Sequence, residues 1–154
     1  MKNLNRIISI LFIIFLSVST LKAQIFYIDQ VAGNDANTGI SSASPWKNLT
    51  KINSLTLGPG SIVYLKSGSV WTGQQLKFNG SGNATSPIII NSYGTGNKPI
   101  INGNGLTGQG VVYLYNQQYI EISNLEITNS PNGAVDSIFF VGINDGTINN
   151  NPLG

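Results

Sequence analysis

The sequence predicts an all-β protein: a parallel β-helix of stacked short strands, with one α-helix capping its N-terminal end. Three observations lead there. Short β-branched runs recur at spacings in the twenties, Gly- and Asn-rich corners separate them, and the one good helical pattern precedes them all. The composition agrees, since 41% of the 154 residues are hydrophobic although only 9% are charged. Clustered apolar runs of this kind favour strands joined by polar turns over disorder.

The chain opens on an address. Met1-Lys2-Asn3-Leu4-Asn5-Arg6 is a basic start, residues 7–18 are apolar except for Ser9 and Ser17, and Ala23-Gln24 is a cleavage point. The apolar run is short for a membrane span of ~20 residues. Residues 1–23 therefore read as a bacterial-type signal peptide. The rest is expected to be secreted or held at the cell surface, with no membrane association after cleavage.

Residues 24–60 form the expected N-terminal unit. Ile25-Phe26-Tyr27-Ile28 is a strand and residues 33–39 are a turn-rich loop. Ser44 suits a helix N-cap and Pro45 the first helical position, and Trp46, Leu49, Ile52 and Leu55 recur at helical spacing. Gly58-Pro59-Gly60 stops the pattern. The predicted helix lays its apolar stripe over the open end of the strands.

Residues 61–154 are the expected first rungs. Ser61-Ile62-Val63-Tyr64-Leu65-Lys66 resembles Gly110-Val111-Val112-Tyr113-Leu114-Tyr115, 49 residues on, with Ile88-Ile89-Ile90-Asn91 between them at 26 residues after Ile62. Ile138-Phe139-Phe140-Val141 follows Val111 by 27. Further short runs are Leu76-Lys77-Phe78, Ile100-Ile101, Ile120-Glu121-Ile122 and Leu125-Glu126-Ile127-Thr128. Stacked strands lie about 4.8 Å apart and align their inward side chains in columns. Gly and Asn supply the left-handed backbone that corners need, and stacked amides can pair between coils. An antiparallel sandwich would require tight two-residue hairpins, which Asn97-Lys98-Pro99 and Asn116-Gln117-Gln118 do not resemble. The chain ends at Asn149-Asn150-Asn151-Pro152-Leu153-Gly154 without a recognisable cap, so a truncated sequence is expected, with an edge near Ile138-Phe139-Phe140-Val141 exposed.

Several functions are excluded by composition. There is no Cys and no His, hence no disulfide, thiolate metal site, Cys nucleophile or Ser-His-Asp triad. Beyond residue 23 the chain holds five Lys and no Arg against six acids, a net charge of −1. This is no footprint for nucleic acid, which needs clustered cations.

Three groups of residues carry a resemblance. They are Tyr27-Ile28-Asp29 with residues 33–39, then Ser44-Pro45-Trp46-Lys47-Asn48-Leu49, then residues 58–68. Residues 87–94 and 119–129 join them. Together these resemble the start of secreted right-handed parallel β-helix proteins of the pectate-lyase-like superfamily, over nearly the whole chain beyond residue 23. The resemblance implies a polysaccharide partner and β-elimination on a uronate-containing polymer, with catalysis by Lys or Arg and carboxylate-held calcium on later rungs outside this chain. The catalytic residues are therefore unknown here, and this chain alone is expected to be inactive. No cofactor or metal site is evident in it, although the full-length protein could take calcium. The alternative is a non-catalytic glycan-binding or adhesion protein of the same fold. The oligomeric state is left open.

Within the chain, strand alternation places Val63 and Leu65 inward and Tyr64 and Lys66 outward. The same register puts Tyr113 and Tyr115 outward two coils on, roughly 10 Å away. Tyr64, Lys66, Tyr113 and Tyr115 are thus the candidate substrate-binding residues: aromatic faces and a cation for an acidic sugar chain, set against an ordinary outer surface. Lys66 or Lys77 would serve as an eliminating base only with a lowered pKa, and nothing adjacent suggests one. Asp35, Asn37 and Gly39 have half the spacing of a calcium loop, but a satisfied turn explains them. Glu121 and Glu126 are a carboxylate pair by proximity in sequence only. Trp46 reads as helix core, and Trp71 as either a sugar platform or packing. Asn48-Leu49-Thr50 and Asn83-Ala84-Thr85 match the glycosylation sequon but follow a bacterial-type signal.

Overall fold

The computed structural model describes residues 22–107, 110–131 and 140–142. The expected signal peptide up to residue 21 lies outside the described residues, as do residues 138 and 139 of the predicted last run. The strands are β1 (Ile25–Ile28), β2 (Thr56–Leu57), β3 (Ile62–Lys66), β4 (Val70–Thr72), β5 (Asn79–Gly80) and β6 (Ile88–Tyr93). They continue as β7 (Ile100–Asn102), β8 (Tyr113–Tyr115), β9 (Ile120–Ile122), β10 (Glu126–Thr128) and β11 (Phe140–Gly142), with one helical turn, α1 (Thr50–Asn53), between β1 and β2.

Every pair of these strands is parallel. Their orders are β1-β3-β6-β9, β10-β7-β4, β11-β8 and β2-β5. Neighbours in a sheet are never neighbours in the chain, so the chain visits other sheets before returning beside its earlier strand. The protein is all-β, with parallel sheets and almost no helix. No two adjacent strands form a hairpin among the described residues, which disposes of the sandwich alternative.

Alternation decides which side chains make the core. In β3, Val63 and Leu65 are fully buried while Ile62, Tyr64 and Lys66 are half-buried on the other face. Phe26 lies beside Val63, and Val63 beside Ile90, giving one inward row; Ile28 beside Leu65 gives another. Trp71 and Ile101 pair in the second sheet, both with no exposed surface. Each such aliphatic side chain contributes ~1.5–3 kcal/mol by leaving water. With charged residues so few, this interior is the main source of stability.

The capping helix is corrected. Only Thr50–Asn53 is helical, and no side chain caps it. Ser44 closes a turn on Ser41 rather than starting a helix, and Trp46 is recruited by β1. The Trp46 N–H donates to the Tyr27 carbonyl and the Trp46 carbonyl accepts from Asp29 N–H, at 3.0 and 2.8 Å. This bridge satisfies the outer edge of β1, and an edge strand's unpaired groups outweigh the weak preference for a short helix. The apolar spacing still reported burial correctly, because Leu49 and Ile52 are fully buried.

The lid over β1 is therefore a loop. Gly39 accepts the Tyr27 N–H at 2.7 Å, and Trp46 stacks on Phe26 with ring centroids 5.0 Å apart. The Trp46 indole N–H donates to the Asn37 carbonyl. Gly39 has φ +73°, and a Cβ there would collide with the Trp46 ring.

Side-chain amides tie another corner together. Gln74 accepts from Leu49 N–H and donates to Asn48 Oδ1, while Asn53 donates to the Gln75 carbonyl and accepts from Lys77 N–H. One layer on, Gln75 donates to the Gly110 carbonyl and Gln117 to the Phe78 carbonyl. These bonds replace strand pairing where the chain bends. Asn116 and Asn124 take left-handed backbone at φ 53° and 57°, as the corner chemistry predicts.

Candidate functional site

The outer face of the four-stranded sheet collects the aromatic residues. Tyr27 of β1 is in register with Tyr64 of β3, and Lys66 of β3 with Tyr93 of β6. The Tyr27 and Tyr64 rings stack at 5.3 Å. Tyr93 meets both edge-on, at 5.2 Å from Tyr27 and 6.4 Å from Tyr64. The Lys66 ammonium sits 5.2 Å from the Tyr93 centroid. Such aromatic pairs contribute about 0.5–1.5 kcal/mol beyond simple burial. Gly94 leaves room for the ammonium, since a Cβ there would strike Lys66 Nζ.

The surroundings of this cluster are unusually apolar for an outward face. The neighbouring outward row is Ile25, Ile62 and Ile89, ending in the exposed Glu121. Ile25 keeps 45% of its surface exposed. Beyond Tyr64 the outward row continues into Asn91, whose side chain accepts a bond from Asn124 Nδ2 at 2.9 Å. The Tyr93 phenol is pushed up to about 12, by burial first and then by the negative charges of Asp29 and Tyr27. It is therefore a neutral hydroxyl at physiological pH. The Asp29 carboxylate is itself buried and accepts from the N–H groups of Val31 and Ala32.

Of the four sequence-predicted binding residues, the structure brings two together. Tyr64 and Lys66 share the face just described. Tyr113 and Tyr115 lie on β8, which pairs with β11 in a different sheet. Their rings are 6.4 Å apart and parallel, and Tyr115 is 52% exposed. The likeness of residues 110–115 to residues 61–66 is real but does not set the register: the strand beside β6 is β9. Tyr27 and Tyr93 were missed. Tyr27 was visible as the outward residue between inward Phe26 and Ile28. Tyr93 was hidden by a one-residue slip, because Ile62 aligns with Ile89 rather than Ile88. A slip of one exchanges the two faces of a strand.

The remaining candidates resolve into structural roles. Asp35 accepts from Lys47 N–H, Asn48 N–H and Asn48 Nδ2, the last at 2.6 Å. Desolvation raises its pKa, but these bonds and the Lys51 charge outweigh it, leaving the carboxyl below its ordinary value. Asn37 donates to the Pro45 carbonyl, so the loop is a satisfied turn. Trp71 is fully buried with its indole N–H on the Lys47 carbonyl, which excludes a sugar platform. Lys77 is exposed on a different strand segment from Lys66. Glu121 and Glu126 are exposed on strands of different sheets. No group of three or more potential metal ligands gathers among the described residues. No described helix is long and apolar enough to cross a membrane.

No family model matches the chain. It is 36% identical over 147 residues to the lacto-N-biosidase of Bifidobacterium longum subsp. longum, an alignment that takes in 79% of this chain and 9% of that protein. Among solved structures it is similar to the native GH136 lacto-N-biosidase of Eubacterium ramulus, with a TM-score of 0.64 and 34% identity over 69% of this chain. The selenomethionine derivative of that enzyme gives the same TM-score with 31% identity over 80% of this chain. The chain spans about a fifth of the length of those structures. These relatives are glycoside hydrolases. They overturn the pectate-lyase-like assignment, and with it polysaccharide lyase activity and β-elimination on uronate polymers. Those relatives act on glycans.

Proposed function

We propose that this chain is the opening section of a glycoside hydrolase with lacto-N-biosidase-type activity, exported by its N-terminal 23 residues. The observation that carries this reading is agreement of sequence and shape together: 34% identity at a TM-score of 0.64 to a GH136 enzyme. We also infer that the parallel sheets are the first turns of a right-handed parallel β-helix. The recurrent registers support this, with Ile62 beside Ile89 and Val70 beside Ile100.

The section described serves as scaffold rather than catalytic centre. Glycoside hydrolysis commonly uses two carboxyl groups, about 5–5.5 Å apart for retention or 6.5–9.5 Å for inversion. Asp29 and Asp35 are engaged by backbone N–H groups, and Glu121 and Glu126 belong to separate sheets. Among the described residues no such pair assembles, and we place the reacting pair outside them. The test is incubation of the whole protein with a p-nitrophenyl lacto-N-bioside. Release of p-nitrophenol is the expected result. A folded whole protein that leaves this compound intact would sink the reading.

A further inference from the structure

We propose that the face formed by Tyr27, Tyr64, Lys66 and Tyr93 binds an anionic sugar unit of a glycan. The sugar ring lies on the tyrosines and its carboxylate or sulfate meets the Lys66 ammonium. This rests on the glycan part of the function proposed above.

The outward face of a sheet left to water is normally polar, and this one mixes Lys66, Asn91 and Glu121 with isoleucines and tyrosines. The exposed Ile25 and the half-buried Ile62 and Ile89 run beside the half-buried tyrosines, and apolar surface rimmed by polar groups is a mark of a binding surface. The rings are amphipathic: they offer apolar faces and edges to C–H groups and hydroxyls to a polyol. The Asn91–Asn124 amide pair extends the polar rim at the far end. Lys66 supplies the charge, and among the described residues no carboxylate pairs with it. Its position over Tyr93 holds the ammonium at the cluster rather than free in solvent. Asp29, the nearest acid to Tyr93 in effect, is turned into the loop and bonded to backbone donors. One cation suits one anionic group, and is too little for a polyphosphate chain, whose affinity grows with the number of phosphates neutralised.

The test passes the whole protein over surfaces bearing sialylated, sulfated and neutral oligosaccharides. The sialylated and sulfated arms tell carboxylate from sulfate. Retention on one anionic surface should exceed that on the neutral one by about tenfold, and Lys66→Gln should remove that advantage. Tyr64→Ala should abolish retention, and Tyr64→Phe should keep it, which separates loss of a ring from loss of the fold. Lys77→Gln, an equal charge change on another part of the chain, should leave retention unchanged. Wild-type protein that is not retained, equal retention on neutral glycans, an unaffected Lys66→Gln variant, or a Lys77→Gln variant as weak as Lys66→Gln would each overturn the proposal. Hydrolysis of the p-nitrophenyl substrate is read on the same wild-type sample. Hydrolysis without retention overturns this face alone, and retention without hydrolysis overturns the enzymatic reading alone.

Discussion

The two edges of the four-stranded sheet are built from similar residues and end up differently. At the β1 edge, Phe26 and Ile28 are 4% and 0% exposed because a loop lies across them. At the β9 edge, Ile122 continues the Phe26 row and Ile120 lies beside the buried Ile88, yet both are only half-buried. Hydrophobic alternation selects the face; what covers the last strand decides how dry that face becomes. At β1 the cover is achieved by backbone hydrogen bonds with the Gly39 carbonyl and with Trp46, and by one indole ring, without a helix.

The comparison breaks most sharply at the lid. Trp46→Ala removes the ring on Phe26 and the indole bond to Asn37, and should cost about 3–5 kcal/mol, read by chemical denaturation. Ile90→Ala, in the dry middle of the sheet, should cost ~2–5 kcal/mol. Ile122→Ala, at the open edge, should fall near or below the lower limit of that range, because a half-buried site loses less on truncation. Equal losses at positions 90 and 122 would show that the two edges are equally covered in the whole protein.

Two titrations sharpen the picture further. Asp35 has a lowered pKa in the folded chain, so its contribution is complete above the unfolded value near 3.8 and fades as pH falls through the folded value. Asp35→Asn should therefore be less stable than wild type at neutral pH, and the two melting curves should converge below about pH 4. Tyr93 is shifted the other way. Its folded phenol holds a proton up to about pH 12 against 10.0 ordinarily, so stability should decline as pH rises from 10 towards 12. Ultraviolet titration should show one late-ionising phenol, absent in Tyr93→Phe. The smallest effect is expected of Lys66→Met, which removes one half-exposed cation–π contact worth about 0.5–1 kcal/mol.

Much of the sheet was legible beforehand. Val63 and Leu65 declared themselves by period-two alternation, and the corner asparagines by their backbone tolerance. The misreadings have physical causes. Trp46 carries helical spacing, but its backbone was more valuable at an open strand edge than in a single helical turn, and only the tertiary arrangement reveals that edge. Tyr113 and Tyr115 follow a motif like that of Tyr64 and Lys66, yet a solitary likeness cannot say which sheet a strand joins. The Ile88-Ile89-Ile90 run does not alternate, so it does not tell which residues of that strand face outward, and Tyr93 went unread. The activity assignment failed for a different reason: one kind of scaffold hosts several chemistries, and no carboxylate pair assembles among the described residues to tell them apart.

The corner held by Asn48, Asn53, Gln74, Gln75 and Gln117 links folding to chemical ageing. Slow hydrolysis of one of these amides would replace a donor with an anion facing a carbonyl oxygen, or, at Asn48, facing the Asp35 carboxylate. A bond that fastened two layers would then push them apart. For such a molecule, durability in its surroundings is set as much by the lifetime of a few primary amides as by the size of its apolar interior.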